Sequence, residues 1–133
     1  MNILLDTCSL IWTLTDSKEL SIRARTAIVN PQNVIHVSSV SIMEISVKHS
    51  LGKLSIDGLE PVNLPFLLYE KGVALLNFEP FEAAELDRLP SKKDHRDPFD
   101  RMLVCQAIYR NLTLISSDRA LAAYRDDGLS LIG

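Results

Sequence analysis

The sequence predicts an α/β fold built on a mainly parallel sheet, and three observations carry that prediction. Nearly continuous apolar runs recur at Ile3-Leu4-Leu5, Val73-Ala74-Leu75-Leu76 and Leu112-Thr113-Leu114-Ile115, as expected of strands covered on both faces. Segments with helical apolar spacing separate the runs, which is the pattern of parallel strands joined by crossover helices. The 133 residues, 47% hydrophobic and 23% charged, suffice for one buried core and argue against disorder.

In chain order, the first strand leads into a short apolar turn at residues 9–14. Residues 21–29 place Ile22, Ala24, Ala27, Ile28 and Val29 at helical spacing, ended by Asn30-Pro31. Ile35-His36-Val37 reads as a second strand. A helix over residues 41–51 follows, carrying Ile42, Ile45, Val47 and Leu51 and stopped by Gly52. Residues 55–65 read as loop. Helices over 64–70 and 81–89 flank the strand at 73–76. Residues 98–109 form the most apolar helix, with Met102, Leu103, Val104, Cys105, Ala107 and Ile108 on nearly every face, so deep burial is expected. The run Leu129-Ser130-Leu131-Ile132 adds an edge strand after the one at 112–115. No repeat and no Gly- or Ser-rich linker interrupts the pattern, so residues 1–133 are read as a single domain.

Composition excludes several function classes. Lys and Arg total 14 against 17 Asp and Glu, a net charge of −3. That balance excludes a generically basic nucleic-acid coat but not a local basic patch. With 6% aromatics, a surface that stacks many bases is not expected. Cys8 and Cys105 are far apart, so neither a disulfide framework nor a C-x-x-C site exists, and His36, His49 and His95 form no H-E-x-x-H. The start, Met1-Asn2-Ile3-Leu4-Leu5-Asp6, lacks a signal peptide's basic region and apolar run. No apolar stretch approaches the ~20 residues needed to span a bilayer. The expected setting is soluble, reducing and cytoplasmic, without a membrane.

The carboxylates carry the chemistry. Ligands of open α/β sheets bind beyond the carboxyl ends of the strands. Asp6 directly follows the first strand, Asp118 follows the strand at 112–116, and Glu44 lies early in the helix after the second strand. Topology alone sets these three on one rim. Asp97 and Asp100 join them if their helix leads back from that rim. Each acid also has a structural explanation. Ser41-Ile42-Met43-Glu44 has capping-box spacing. Asp97-Pro98 reads as an N-cap followed by proline at the first helical position. Asp100 suits the helix dipole, and Asp118 can cap a short helix through Ala120 to Tyr124. Asp6 has the weakest such explanation, because no long helix follows it.

Carboxylates crowded on one rim repel one another, and a hard divalent cation resolves that repulsion. Without a Cys/His set, oxygen-only ligation indicates Mg²⁺ or Mn²⁺ rather than zinc. Such a rim suits phosphodiester or phosphoryl chemistry. A haloacid-dehalogenase-type phosphatase needs a second Asp two residues after the first, where Cys8 stands. A receiver domain needs an acidic pair at the first strand and a late strand-end Lys, where Asp118 stands. A phosphate-binding glycine loop is absent.

These residues resemble the PIN-domain ribonucleases, and within them the VapC-like toxins of bacterial toxin–antitoxin pairs. The match begins with Leu4-Leu5-Asp6-Thr7 and the turn through Trp12. It continues through Ser38-Ser39-Val40-Ser41-Ile42-Met43-Glu44-Ile45-Ser46-Val47-Lys48 and Leu51-Gly52-Lys53-Leu54. Its most specific part is Leu89-Pro90 with His95-Arg96-Asp97-Pro98-Phe99-Asp100-Arg101-Met102-Leu103-Val104-Cys105-Gln106-Ala107. It closes on Leu114-Ile115-Ser116-Ser117-Asp118 and Tyr124, so it spans essentially the whole chain. Cys8 stands where close relatives often carry His, and Leu121 where an aromatic is common; neither departure removes an acid.

The resemblance implies a three-layer α/β/α sandwich with a central, mainly parallel sheet. It implies that Asp6, Glu44, Asp100 and Asp118 form the catalytic, metal-binding set. Asp97 is then an additional acid or the helix cap, and Thr7 and Ser117 are hydroxyls that orient carboxylates or metal-bound water. The implied activity is Mg²⁺-dependent hydrolysis of RNA by an endoribonuclease acting as a toxin, Mn²⁺ being the other candidate ion. The implied partners are RNA, a cognate antitoxin and a second copy in a homodimer. An acidic protein must still hold RNA: Lys92, Lys93, His95, Arg96 and Arg101 cluster around Asp97 and Asp100, with Lys48 and Lys53 flanking them; the competing reading is a solvated mixed-charge loop with a salt bridge. Trp12 and Phe66 are candidates for an antitoxin groove or for plain core. The competing functional classes are a non-catalytic, receiver-like metal-binding module and a catalytically silent interaction domain.

Overall fold

Strand β1 (Asn2–Leu5) lies at the centre of a five-stranded sheet with its neighbours drawn from opposite ends of the chain. The computed structural model describes residues 1–133. On one side β1 pairs with β2 (Val34–Ser38), Ile3 opposite Ile35. On the other it pairs with β4 (Thr113–Ile115), Ile3 opposite Thr113. Strand β3 (Ala74–Leu76) adds outside β2, and β5 (Ser130–Ile132) outside β4, giving the order β3-β2-β1-β4-β5. Every pairing is parallel, so each strand must be reached by a crossover over a sheet face.

The helices making those crossovers are α1 (Thr7–Leu14), α2 (Ile22–Val29), α3 (Ser39–Ser50), α4 (Leu64–Glu70), α5 (Pro80–Glu85) and α6 (Pro98–Tyr109). Three 3₁₀ turns, Pro61–Asn63, Leu86–Arg88 and Arg119–Asp127, complete the order. Alternation along β1 divides the core in two. Ile3 and Leu5 pack with Leu10 of α1, Ala24 of α2 and Leu64 and Leu68 of α4. Leu4, between them, packs on the other face with Leu103, Val104 and Ala107 of α6 and with Leu121 and Tyr124. The result is the expected three-layer α/β/α sandwich, with a sheet that is wholly parallel.

Asp97 caps α6, and proline occupies its first position. The helix ends where Asn111 takes a left-handed φ of 56° and the Leu112 amide donates to the Ala107 carbonyl at 2.8 Å, turning the chain directly into β4. Glu82, fully buried, fastens α5 to α6 by an ion pair with Arg110 and a 3.3 Å hydrogen bond from Gln106.

Several sequence readings are corrected here. The turn at 9–14 is a full helix from Thr7, capped by Asp6, so Asp6 does have a capping role. Helix α3 starts at Ser39 with Ser38 as its cap, two residues before the expected start. The Ser41–Glu44 capping box therefore cannot form, because Ser41 is already inside the helix. The expected loop at 55–65 contains a 3₁₀ turn and the first residues of α4, and the helix at 81–89 breaks into α5 and the 3₁₀ turn Leu86–Arg88. Phe66 is 66% exposed rather than core, whereas Trp12 packs partly buried against the first cluster.

Candidate active site

The chain runs from β1 outward through β2 and β3, then returns to β4 and continues to β5 in the opposite direction. The reversal opens a crevice beyond the carboxyl ends of β1 and β4, where ligands of such sheets bind. Asp6 and Asp118 stand at those ends.

Asp6 is buried at the N-terminus of α1, with Oδ1 accepting from the Ser9 amide at 2.8 Å. Burial raises its pKa above the usual carboxylate value, and hydrogen bonds from Ser116 and Ser9 partly offset that rise. Asp118 caps the 3₁₀ turn, Oδ1 accepting from the Ala120 amide at 3.0 Å. Both aspartates thus commit one oxygen to a helix terminus. Asp97 is more fully committed, since its Oδ1 accepts from the amides of both Phe99 and Asp100.

Glu44 reaches the same rim from α3 and is buried. Its Oε2 accepts from Lys48 Nζ at 2.5 Å, and its Oε1, also buried, has no hydrogen-bonding partner. Asp100, in the first turn of α6, has its pKa raised to about 7 by burial and then by the charges of Asp97, Asp6, Glu44 and Asp118. Asp100 and Asp118 both lie beside His95 Nε2, at 3.5 and 4.0 Å, and the charges of Asp97, Asp6 and Glu44 act on the Asp100 carboxyl as well. Thr7, buried, donates to Ser41 Oγ at 3.0 Å and ties α1 to α3 beneath the rim. Ser117 is exposed, and the hydroxyl beside Asp6 belongs to the preceding, buried Ser116, which also accepts from the Asp118 amide at 3.1 Å. The Cys8 thiol is pushed up in pKa by burial and by Asp6, Asp100 and Glu44, so it stays neutral.

The basic residues separate into two groups. Lys48 is paired with Glu44, Lys92 pairs with Asp127 at 2.8 Å over the Tyr124 ring, and Arg101 donates to Leu89 O, Pro90 O and Tyr124 Oη. Those three cations are occupied within the protein. Lys93 and Arg96 are exposed. With Ser91, Lys92, His95 and Arg101 they line a cavity of about 570 Å³ that meets the acidic rim at His95.

In the sequence His95 is only one member of the basic stretch around Asp97 and Asp100, and its place within the site comes from the structure. It is buried, its Nδ1 lies 3.1 Å from Tyr124 Oη, and its Nε2 lies 3.5 Å from Asp100 Oδ2 and 4.0 Å from Asp118 Oδ2. Burial pushes its pKa down. A lone histidine without metal-ligand spacing carries no signal in the sequence; its partner Tyr124 is 29 positions away.

The donors fit a hard divalent cation. The cluster is carboxylate oxygen, Glu44 keeps a buried oxygen without a partner, and ligand atoms of His95, Asp100 and Asp118 all lie within 4.8 Å of one another.

The family model for the PIN domain matches residues 3–127. Comparison with curated proteins found no match. Among solved structures, the chain is similar to VapBC2 from Rickettsia felis bound to a promoter DNA fragment, at 15% identity and a TM-score of 0.70, covering 99% of this chain and 98% of that one. It is also similar to VapBC-1 from nontypeable Haemophilus influenzae, at 20% identity and a TM-score of 0.67, covering 99% and 97%. A third is DNA-bound VapBC from Salmonella typhimurium, at 19% identity and a TM-score of 0.66, covering 99% and 97%. At these identities the likeness is one of fold.

Proposed function

Since the chain belongs to the PIN-domain family, we propose that it is a metal-dependent endoribonuclease, a single domain over residues 1–133 acting in the cytoplasm as the toxin of a toxin–antitoxin pair. The observation that carries this reading is the grouping of acids at the β1–β4 crevice: Asp6 and Asp118 at the strand ends, Asp100 with a ligand atom within 4.8 Å of one on Asp118, and Glu44 with a buried oxygen that has no partner.

Asp6, Asp100 and Asp118, with the free oxygen of Glu44, would hold Mg²⁺ or Mn²⁺. The bound ion would lower the pKa of a water molecule and neutralise charge developing on the phosphate. The protein's share of the work is placement. Hydrogen bonds from helix-terminal amides to Asp6 and Asp118 hold one oxygen of each still, which fixes the direction of the other. Lys48 anchors Glu44 in the same way. Lys93 and Arg96, whose charges are not spent internally, would hold the backbone of a single RNA strand along the 570 Å³ cavity. Asp97, with one oxygen on two amides, serves as the cap of α6 and raises the field at Asp100.

The solved structures of similar fold come from VapBC assemblies, which supports an antitoxin as partner; a second copy of this chain is the other partner proposed. No helix is long and apolar enough to cross a membrane.

Incubating the purified protein with a labelled, partly structured RNA in Mg²⁺ tests the reading. Cleavage abolished by EDTA and by Asp6→Asn is the expected result. An inert wild type would leave a non-catalytic interaction module, and full cleavage by Asp6→Asn would remove the assigned site.

A further inference from the structure

His95 lies among the possible metal ligands, and distance alone would count it as one. Its hydrogen bonds assign it another part. Arg101 is donor-only, and it donates to Tyr124 Oη at 2.9 Å while its other nitrogen holds Leu89 O at 3.0 Å. Tyr124 is fully buried, and His95 Nδ1, 3.1 Å away, is the acceptor available to its O–H. If Nδ1 carried the proton instead, that O–H would be buried without an acceptor, which native structures avoid. Nδ1 is therefore the acceptor, and the ring's proton sits on Nε2. That N–H is buried, makes no hydrogen bond within the protein, and has Asp100 Oδ2 3.5 Å and Asp118 Oδ2 4.0 Å away.

We infer that His95 is a positioning residue, not a metal ligand: a chain running from Arg101 through Tyr124 locks its Nε2–H tautomer, and this N–H directs the carboxylates of Asp100 and Asp118 towards the cation. The inference rests on the proposed function only for its kinetic consequence; the tautomer and the ligand set stand independently of any activity.

An imidazole whose Nε2 bears hydrogen has no lone pair for a metal on that side. The cluster then stays an all-oxygen site, suited to Mg²⁺ or Mn²⁺, despite a histidine within reach. The arrangement also explains why Arg101 and Tyr124, neither of which faces the crevice as a ligand, are spent on hydrogen bonds to each other and to the ring. Directing groups of this kind act through the ligands they hold, and their removal costs activity without removing a ligand.

Long-range ¹H–¹⁵N NMR of the metal-free wild type tests the tautomer directly, because only three histidines contribute and His95→Gln identifies the third signal. The expected spectrum has a protonated Nε2 and a bare Nδ1 at His95, and this preference is lost in Tyr124→Phe. A protonated Nδ1 would overturn the inference. Calorimetric titration with Mg²⁺ and Zn²⁺ then tests ligation. His95→Gln, which keeps an N–H at the Nε2 position, should leave the Zn²⁺/Mg²⁺ affinity ratio unchanged, whereas a selective loss of Zn²⁺ affinity would make the ring a ligand. In RNA cleavage, His95→Ala should lower kcat about 10- to 100-fold with KM little altered, and His95→Gln should recover most of that loss. Equal losses in both variants would overturn the positioning role. An inactive wild type would refute the nuclease reading alone, leaving the spectra and titrations to decide this one.

Discussion

Replacing Asp100 by Asn should stabilise the metal-free protein while ending cleavage. Burial, then Asp97, Asp6, Glu44 and Asp118, raises the Asp100 pKa from 3.8 to about 7. Below pH 4 this carboxyl is protonated in folded and unfolded chains alike, and it costs nothing. Between pH 4 and 7 the unfolded chain gives up the proton while the folded one keeps it, so stability falls as pH rises. Above pH 7 the full penalty is present. At 1.36 kcal/mol per pH unit its ceiling is about 4 kcal/mol. Two effects reduce it. The side chain is 27% exposed, so water screens part of the repulsion, and the variant loses a favourable charge in the first turn of α6. A gain of about 1–3 kcal/mol remains, or roughly 3–12 °C in Tm for a domain of this size. The assay is thermal unfolding of both proteins in EDTA at pH 5 and pH 8. Asn should be the more stable at pH 8, by a margin that shrinks at pH 5, and Mg²⁺ should raise the Tm of the wild type only. A variant less stable at pH 8, or a margin indifferent to pH, would refute the claim that Asp100 is strained by its neighbours.

Three further outcomes follow from the same geometry. Asp6→Asn keeps an N-cap for α1 and Asp6→Ala does not, so both should be inactive while only the alanine variant loses about 1 kcal/mol in denaturant titration. Lys93→Gln with Arg96→Gln should weaken RNA binding and lower the slope of log K against log salt by roughly 0.7 for each phosphate no longer neutralised; Lys92→Gln should act mainly on stability, through Asp127 and the Tyr124 ring. Arg110→Ala leaves the fully buried Glu82 unpaired and should cost about 3 kcal/mol by denaturant unfolding, with kcat unchanged, because neither residue approaches the crevice.

The legible parts of the fold were those that local chemistry specifies. Ile3-Leu4-Leu5 and Leu112-Thr113-Leu114-Ile115 announce strands covered on both faces, and Asp97-Pro98 marks the start of α6 to the residue. The start of α3 was not legible, because Ser38, Ser39 and Ser41 are all competent caps and the choice is made by β2, which extends to Ser38 to pair with Leu76. That choice matters to the site: it cancels the expected capping box and leaves Glu44 a free oxygen. The acids themselves could be located from strand ends. His95 could not, since its meaning comes from Tyr124, Asp100 and Asp118, neighbours it meets only after folding. Lys92 and Arg101 show the converse error. Composition registers their charge but not the carboxylate, carbonyls and phenol that occupy them.

The pairing of β1 with β4 also has a consequence for the order of events during synthesis. Ile3 finds its partner at Thr113, so the central strand waits with one edge open until most of the chain has been made. At 5–20 residues per second, the interval between Asp6 and Asp118 is roughly 6–22 s. For that time the carboxylates of the crevice are dispersed, and a chain released early carries Asp6 and Glu44 without Asp118 or the strand that brings it into place. The acid cluster is therefore completed only when β4 closes the open edge of β1.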